Sequence, residues 1–412
     1  RGEFAYMRPD PNTKKSTIAS DGGKSIAYID DFEGAKRIIP VGINYTTWRD
    51  LSIPNKIDSI ARFSVPPDSL QRIMNYKGKA YWFNVLPSDV DVKEIWPEKQ
   101  VGRGDQQITV LDFVFSPGLR GTFNYNPQLQ DRRQAWGGMM KPLSSTANNL
   151  VEENIEFIEV WVQNLSVERA PKLFIDIGKI SEDVIPNNRL DTEDKNFNEL
   201  IDEGEDVGLD GIPDQNEGAL LPTGVSYPDP SGDNFSFNLG TGTIESYQSI
   251  NGTEGNAQSI DIGRFPDTED LNRNGTLDQL NSFFRYEVTM DSDTANNPYI
   301  AGGGTNGWYL YRIPLKDFSD VFGAPSFSVI ESIRLFVAQA DTNVHLRMTE
   351  FNLVGNQWQK GIKDDSVLAI SVVNIEDNSN IYTIPPGISR EKDRSRPDEN
   401  ILRNEQSLNL EL

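Results

Sequence analysis

Ile155-Glu156-Phe157-Ile158-Glu159-Val160-Trp161-Val162 sets apolar residues against Glu156 and Glu159 with the period of two expected of a half-buried β-strand. Lys172-Leu173-Phe174-Ile175-Asp176-Ile177-Gly178 follows as a second clear strand. Toward the N-terminus, aromatic and β-branched residues dominate Ser25–Gly34, Ala61–Val65, Ala80–Val85 and Ile108–Phe115, and Pro/Gly/Asn clusters bound each run. Toward the C-terminus the pattern resumes in Phe283–Val288, Gly307–Ile313, Ser332–Ala338 and Val344–Leu353, with Pro314–Phe318 reading as one helical turn. Roughly ten such strands joined by long loops predict a mainly β fold, a jelly-roll-like β-sandwich. The expected organisation is a lead-in segment over residues 1–23, the sandwich over 24–358 interrupted by an acidic insertion at 181–281, and a segment over 359–412 leading out. That last segment holds the apolar run Val367–Ile375 and ends in the alternating Ser407-Leu408-Asn409-Leu410-Glu411-Leu412. The alternation suits a transmembrane β-barrel strand or the edge of a soluble sheet.

The 412 residues carry 39 basic and 62 acidic side chains, a formal charge of -23, which repels phosphate backbones and anionic lipid. Nucleic acid is not an expected partner. There is no cysteine, so disulfides, thiolate zinc sites and thiol nucleophiles are excluded. His345 is the single histidine, in a strand-like Val344-His345-Leu346, and is expected to be a packed or surface imidazole, not a catalytic one. No apolar run is long enough for a membrane-spanning helix, and nothing at the start resembles a signal peptide. The first residue is Arg1, so the chain reads as a piece of something larger.

The insertion contains one motif twice, Asp191-Thr192-Glu193-Asp194-Lys195-Asn196-Phe197-Asn198-Glu199-Leu200-Ile201-Asp202 and Asp267-Thr268-Glu269-Asp270-Leu271-Asn272-Arg273-Asn274-Gly275-Thr276-Leu277-Asp278. Oxygen side chains at alternate positions are how an EF-hand-like loop surrounds a hard cation, with ligands at positions 1, 3, 5, 7 (a backbone carbonyl), 9 and 12. The first loop then offers Asp194, Asn196, Asn198, the carbonyl of Leu200, Asp202 and Glu205. A second follows in tandem, with Asp206, Asp210, the carbonyl of Ile212, Asp214 and Glu217. The third offers Asp270, Asn272, Asn274, the carbonyl of Thr276 and Asp278. Three departures weaken the pattern: Glu199 stands where the turn glycine belongs, Gly208 where a position-3 ligand belongs, and Asn281 at position 12 of the last loop. Donors that are all oxygen favour structural Ca2+ over zinc or copper. Leu200, Ile201 and Leu277 are the expected apolar anchors. A solvated, disordered acidic segment is the competing reading.

Ser25–Gly34 and Thr349–Leu353 resemble the first and last strands of jelly-roll carbohydrate-binding modules, in which acidic residues on neighbouring strands hold a structural calcium. Asp30, Asp31, Glu33 and Glu350 are the corresponding candidates, with acidic side chains ending a surface strand as the alternative. Trp48, Trp82, Trp96, Trp136 and Trp308 are available to grip sugars if exposed, although tryptophan is usually core. Gly302–Gly307 lacks the strand-turn-helix context of a phosphate loop and reads as a loop tip. No pair of carboxylates stands out for glycoside hydrolysis.

Six blocks in order, Gly2-Glu3-Phe4-Ala5, Tyr28–Gly34, Ser116–Gly121, Ala135–Lys141, Glu205–Gly211 and Asn404–Leu408, resemble the SprA/Sov family, the outer-membrane translocon of the type IX secretion and gliding motility system of Bacteroidetes. The resemblance implies a very large β-barrel whose outer mouth carries insertions forming an extracellular cap, this chain being one such insertion. It further implies the rest of that barrel, a PorV-like outer-membrane protein, a plug protein and secreted cargo with a C-terminal sorting domain as partners. No catalytic residues are implied, since the family carries out no bond chemistry. A calcium-dependent carbohydrate-binding module or adhesin on the cell surface is the rival reading, and a secreted glycoside hydrolase a more distant one.

Overall fold

The computed structural model describes residues 36–411 except 64–68, 87–88, 128–130, 145–147, 238–242, 258–264, 357–368, 381, 385–386, 394–395 and 397. Its strands, in chain order, are β1 (Lys36–Pro40), β2 (Arg49–Asp50), β3 (Gly78–Asn84), β4 (Leu111–Arg120), β5 (Trp136–Pro142), β6 (Ile155–Asn164), β7 (Lys172–Lys179), β8 (Ser282–Thr289), β9 (Ile300–Gly303), β10 (Trp308–Pro314), β11 (Asp320–Phe322), β12 (Ser332–Ala338), β13 (Val344–Asn356), β14 (Ala369–Asn374) and β15 (Gln406–Glu411). One antiparallel sheet runs β3-β4-β13-β6-β10-β9, with β1 also on β13, and a second runs β11-β8-β7-β12-β5-β2. The chain passes from β4 in the first sheet to β5 in the second, to β6, to β7 and its neighbour β8, then to β10, β12 and β13. Crossings of this order, which leave β4-β13-β6-β10 facing β8-β7-β12-β5, make an eight-strand jelly roll.

Between the sheets Ile158, Val160 and Val162 of β6 meet Leu173, Ile175 and Ile177 of β7 in the main core. The outer faces are covered as well. Trp161 packs with Trp96, Trp308 and Ile250 outside the first sheet, and Phe174 and Phe336 with Leu51, Ile57, Val184 and Leu209 outside the second. The expectation of a half-buried β6 is therefore corrected: Glu159 is buried, its carboxylate accepting from Arg312 Nε at 2.6 Å. On the outer face of the second sheet Asp176 lies opposite both Arg285 and Arg334 and is buried with them. It accepts from Arg285 at 2.7 and 2.9 Å and from Arg334 at 2.6 and 3.0 Å.

Other expectations need correction. Ala61 ends a short helix, α1 (Ile57–Ala61), capped by Arg62 at φ 55, where a strand was expected, and Leu315–Lys316 form a turn without a helix. The glycine-rich Trp136–Lys141 is strand β5, because Gly138 allows the backbone of Leu335 and Phe336 to approach where a Cβ would collide. Ser25–Gly34, with Asp30, Asp31 and Glu33, lies outside the described residues. Trp48, Trp82, Trp96, Trp136 and Trp308 are all core residues, between 0% and 3% exposed, so none offers a sugar platform. The ring of His345 rests 2.7 Å from Asp112, which also accepts from Arg347 Nε at 2.8 Å. In the segment leading out, β14 and β15 pair with each other, Ala369 opposite Glu411. Among the described residues no helix is long and apolar enough to cross a membrane.

The acidic segment leaves the sandwich after Lys179 and returns at Ser282, which is Lys179's partner across β7 and β8. It covers the edge strand β3, where Asn251 accepts from Trp82 N–H at 2.8 Å and donates to its carbonyl at 2.9 Å, and Tyr247 stacks on Phe83.

Candidate metal centre

The two copies of the repeated motif meet each other. Thr192 and Thr268 form an antiparallel bridge, Glu193 N–H donates to Asp267 O at 3.0 Å, and Glu269 N–H to Asp191 O at 3.0 Å. The loops leaving this bridge are alike. Asp194 accepts from the N–H groups of Asn198 and Glu199 at 3.0 and 2.7 Å, Asp270 from those of Asn274 and Gly275 at 3.0 and 2.6 Å. Oδ1 of Asn198 and of Asn274 accepts from Leu200 and Thr276, both at 2.8 Å. Asn196 and Asn198 converge on Asp202, as Asn272 and Asn274 do on Asp278.

A further loop of the same build went unread in the sequence. Asp183 accepts from Asn187 and Asn188 N–H at 3.2 and 3.3 Å, Asn187 Oδ1 from Arg189 N–H at 2.8 Å, and Asn187 Nδ2 donates to Asp191. Position 6 is left-handed throughout, at φ 60 for Asn188, 63 for Glu199, 70 for Gly211 and 80 for Gly275. The visible signal was Asp-x-x-x-Asn-x-x-x-Asp, shared by residues 183–191, 194–202 and 270–278.

The Asp183, Asp194 and Asp270 loops are each closed by a glutamate that precedes the first aspartate of another loop. Glu205 accepts from Lys195 and Asp202 N–H at 3.1 and 2.9 Å, which keeps its expected place at position 12. For the Asp270 loop that place belongs to Glu182, which accepts from Leu271 and Asp278 N–H, both at 3.1 Å. Asn281 instead holds Ser181 N–H. Glu269 closes the Asp183 loop through Val184, Ile185 and Asp191 N–H at 2.8, 2.9 and 3.1 Å, and Glu193 takes Gly208 and Asp267 N–H, both at 2.9 Å. Burial pushes Glu182 up to about 7 and Glu193 and Glu269 up to about 8, and nearby aspartates add to the effect.

The Asp206 loop departs most from expectation. Asp206 turns away to accept from Gly255, Asn256 and Ala257 N–H at 2.9, 3.1 and 3.3 Å. Asp210 keeps its position-5 geometry, accepting from Ile212 N–H at 2.8 Å. Carboxylate oxygens of Asp210, Glu217 and Asp233 lie within 4.8 Å of one another, as do those of Asp214, Glu217 and Asp229. Asp229 and Asp233 were not read from the sequence. The expected anchor Leu200 is 58% exposed and corrected here: Leu209 and Val184 are the buried apolar residues. Glu350, at φ 48 in a bulge of β13, accepts from Asn352, and its expected partners are outside the described residues.

The donor set fits a hard divalent cation: it is all oxygen, anionic and partly buried, and such carboxylates repel one another until a cation neutralises them. If bound, calcium would be held by Asp183, Asp191, Asp194, Asp202, Asp270 and Asp278 with the closing glutamates.

Residues 228–412 match the SprA_N family model, described as a motility related/secretion protein. Asn404–Leu408 lies in the matched segment, and the other five blocks of resemblance precede it. No curated protein matches the chain. Over residues 228–412, just under half of the 412-residue chain, the sequence is thus similar to the SprA_N family of motility related/secretion proteins.

Proposed function

We infer that this chain is a non-enzymatic cap domain at the extracellular face of a type IX secretion outer-membrane translocon, serving protein export and gliding motility. The family match over residues 228–412 carries this reading. In support, the matched segment includes the whole β14–β15 hairpin, whose strand β15 has the alternation of a barrel strand. The jelly roll would stand over the exit path as a rigid body, and calcium in the 181–281 loops would hold that segment against it. Partners in this reading are the remainder of the barrel, a PorV-like protein, the plug protein and cargo bearing a C-terminal sorting domain.

The test is an antibody raised against this chain, used on fractionated source cells and on intact cells treated with protease. A band several times heavier than 46.2 kDa in the outer-membrane fraction, cleaved from outside, is the expected result. A band near the chain's own mass in the medium would overturn the reading and favour a free surface adhesin.

A further inference from the structure

Glu217 is 0% exposed, and its Oε1 has no hydrogen-bond partner, while Oε2 accepts from Ser231 N–H at 3.1 Å. A buried carboxylate oxygen without a donor is costly unless something else meets it. Around it stand two sets of acids. Oxygens of Asp210, Asp233 and Glu217 lie within 4.8 Å of one another, and so do oxygens of Asp214, Asp229 and Glu217. Asp214 Oδ1 and Glu254 Oε2 are likewise buried and unpartnered. The nearby cations give their hydrogen bonds to backbone, Arg120 to the carbonyls of Asn124, Pro230 and Asp229 and Lys79 to that of Gly232, and meet these acids only through space.

Gly208 explains how the loop tolerates its missing ligand. At φ 77 it leaves room for the carboxylate of Asp233, which occupies the space a Cβ at position 3 would need. Asp233 thus replaces in space the side chain that Gly208 lacks.

We propose that Glu217 is the shared ligand of two adjacent hard divalent cations, one held with Asp210 and Asp233 and the other with Asp214 and Asp229. The centre sits at the seam between the acidic segment and the end of β4. There Tyr125 OH reaches Asp210 Oδ2 at 3.4 Å and Phe123 N–H donates to Ser231 O at 2.6 Å. Burial pushes Asp233 up to about 8, with Asp210, Glu217 and Asp229 adding to it, as expected of carboxylates gathered for a cation. The paired cations would fasten the segment to the sandwich, a role separate from the loops closed by Glu182, Glu205 and Glu269. The inference rests on calcium binding by the segment and not on the secretion reading.

The test counts calcium bound per 412-residue chain by equilibrium dialysis and measures tyrosine-sensitised terbium emission. Glu217→Gln is expected to lose two calcium ions relative to the unaltered chain and Asp233→Asn one. Tyr125→Phe, which keeps every carboxylate, should retain the calcium count while terbium emission falls about twofold or more. Loss of one ion or none in Glu217→Gln, or unchanged emission in Tyr125→Phe, overturns the shared centre. An unaltered chain that binds no calcium at millimolar concentration overturns the calcium reading as a whole.

Discussion

Glu182 and Asp278 hold each other twice: the N–H of Glu182 donates to the carbonyl of Asp278 at 2.8 Å, and Glu182 Oε2 accepts the N–H of Asp278 at 3.1 Å. The first acid after β7 thereby locks the last loop before β8. If a cation sits in the Asp270 loop, Glu182→Gln should weaken it as much as Asp270→Asn does, and the double variant should be no worse than either, because both disable one site. The chain should lose one bound calcium, and its calcium-dependent rise in melting temperature should shrink. Additive effects in a calcium titration would separate Glu182 from that site.

Chelation gives a broader readout. A ligand present at about 100 times its dissociation constant stabilises by about 2.7 kcal/mol, and each kcal/mol moves the melting temperature of a large domain by about 2–4 °C. Removing calcium should therefore lower the melting temperature by about 5–10 °C in a calorimetric scan. An unchanged scan at depleted calcium would count against a structural cation.

The pH dependence in chelator follows from Glu193 and Glu269. Their folded values are raised from 4.5 to about 8, so the folded state binds more protons than the unfolded chain between those limits. Their contribution to stability is fully present below about 4.5 and is lost as pH rises toward about 8. Metal-free chain should accordingly resist urea better at pH 6 than at pH 8. Saturating calcium should flatten that difference, because the cation compensates the same charges.

Glu199 occupies the left-handed position 6 at φ 63, where Gly275 stands in the sister loop, and its side chain is exposed. Glu199→Gly should relieve the strain and raise stability by about 0.5–1 kcal/mol, while Gly275→Glu should lower it by a similar amount. Denaturant midpoints would register both changes.

In the sandwich, Asp176→Ala should cost about 3–5 kcal/mol, since it leaves Arg334, itself 0% exposed, without its counter-charge. The calcium count of the folded fraction should stay as it was. A small loss of stability would mean that Arg285 and Arg334 find other acceptors.

Strands rich in aromatic and β-branched residues were legible because their side chains carry the pattern: β6, β7, β8, β10 and β12 fall on the expected runs. β5 was not, since Gly137 and Gly138 contribute close backbone approach, which leaves no hydrophobic period to read. The loops show the same division. Asp194 to Glu205 lie in one continuous register, so the sequence alone places them in one loop, whereas Glu182 reaches Leu271 across 89 residues of chain. Position along the chain says nothing of such closure, although the Glu-Asp pair opening each loop was in plain view at 182–183, 193–194, 205–206 and 269–270. Asp229 and Asp233 lay in a stretch whose Gly/Ser/Asn composition hid them.

The pairing of Lys179 with Ser282 makes the whole acidic segment, in folding terms, one hairpin connection between neighbouring strands. The entropy of closing such a loop rises only by about 0.6 kcal/mol for each doubling of its length, so β7 and β8 can zip together while the segment is still uncoiled. Assembly would then run in two stages, the sandwich first and the segment afterwards, and if the segment binds calcium the second stage is governed by the ionic composition of the surrounding fluid. In that case a chain moved from calcium-poor to calcium-rich surroundings would complete its fold only there.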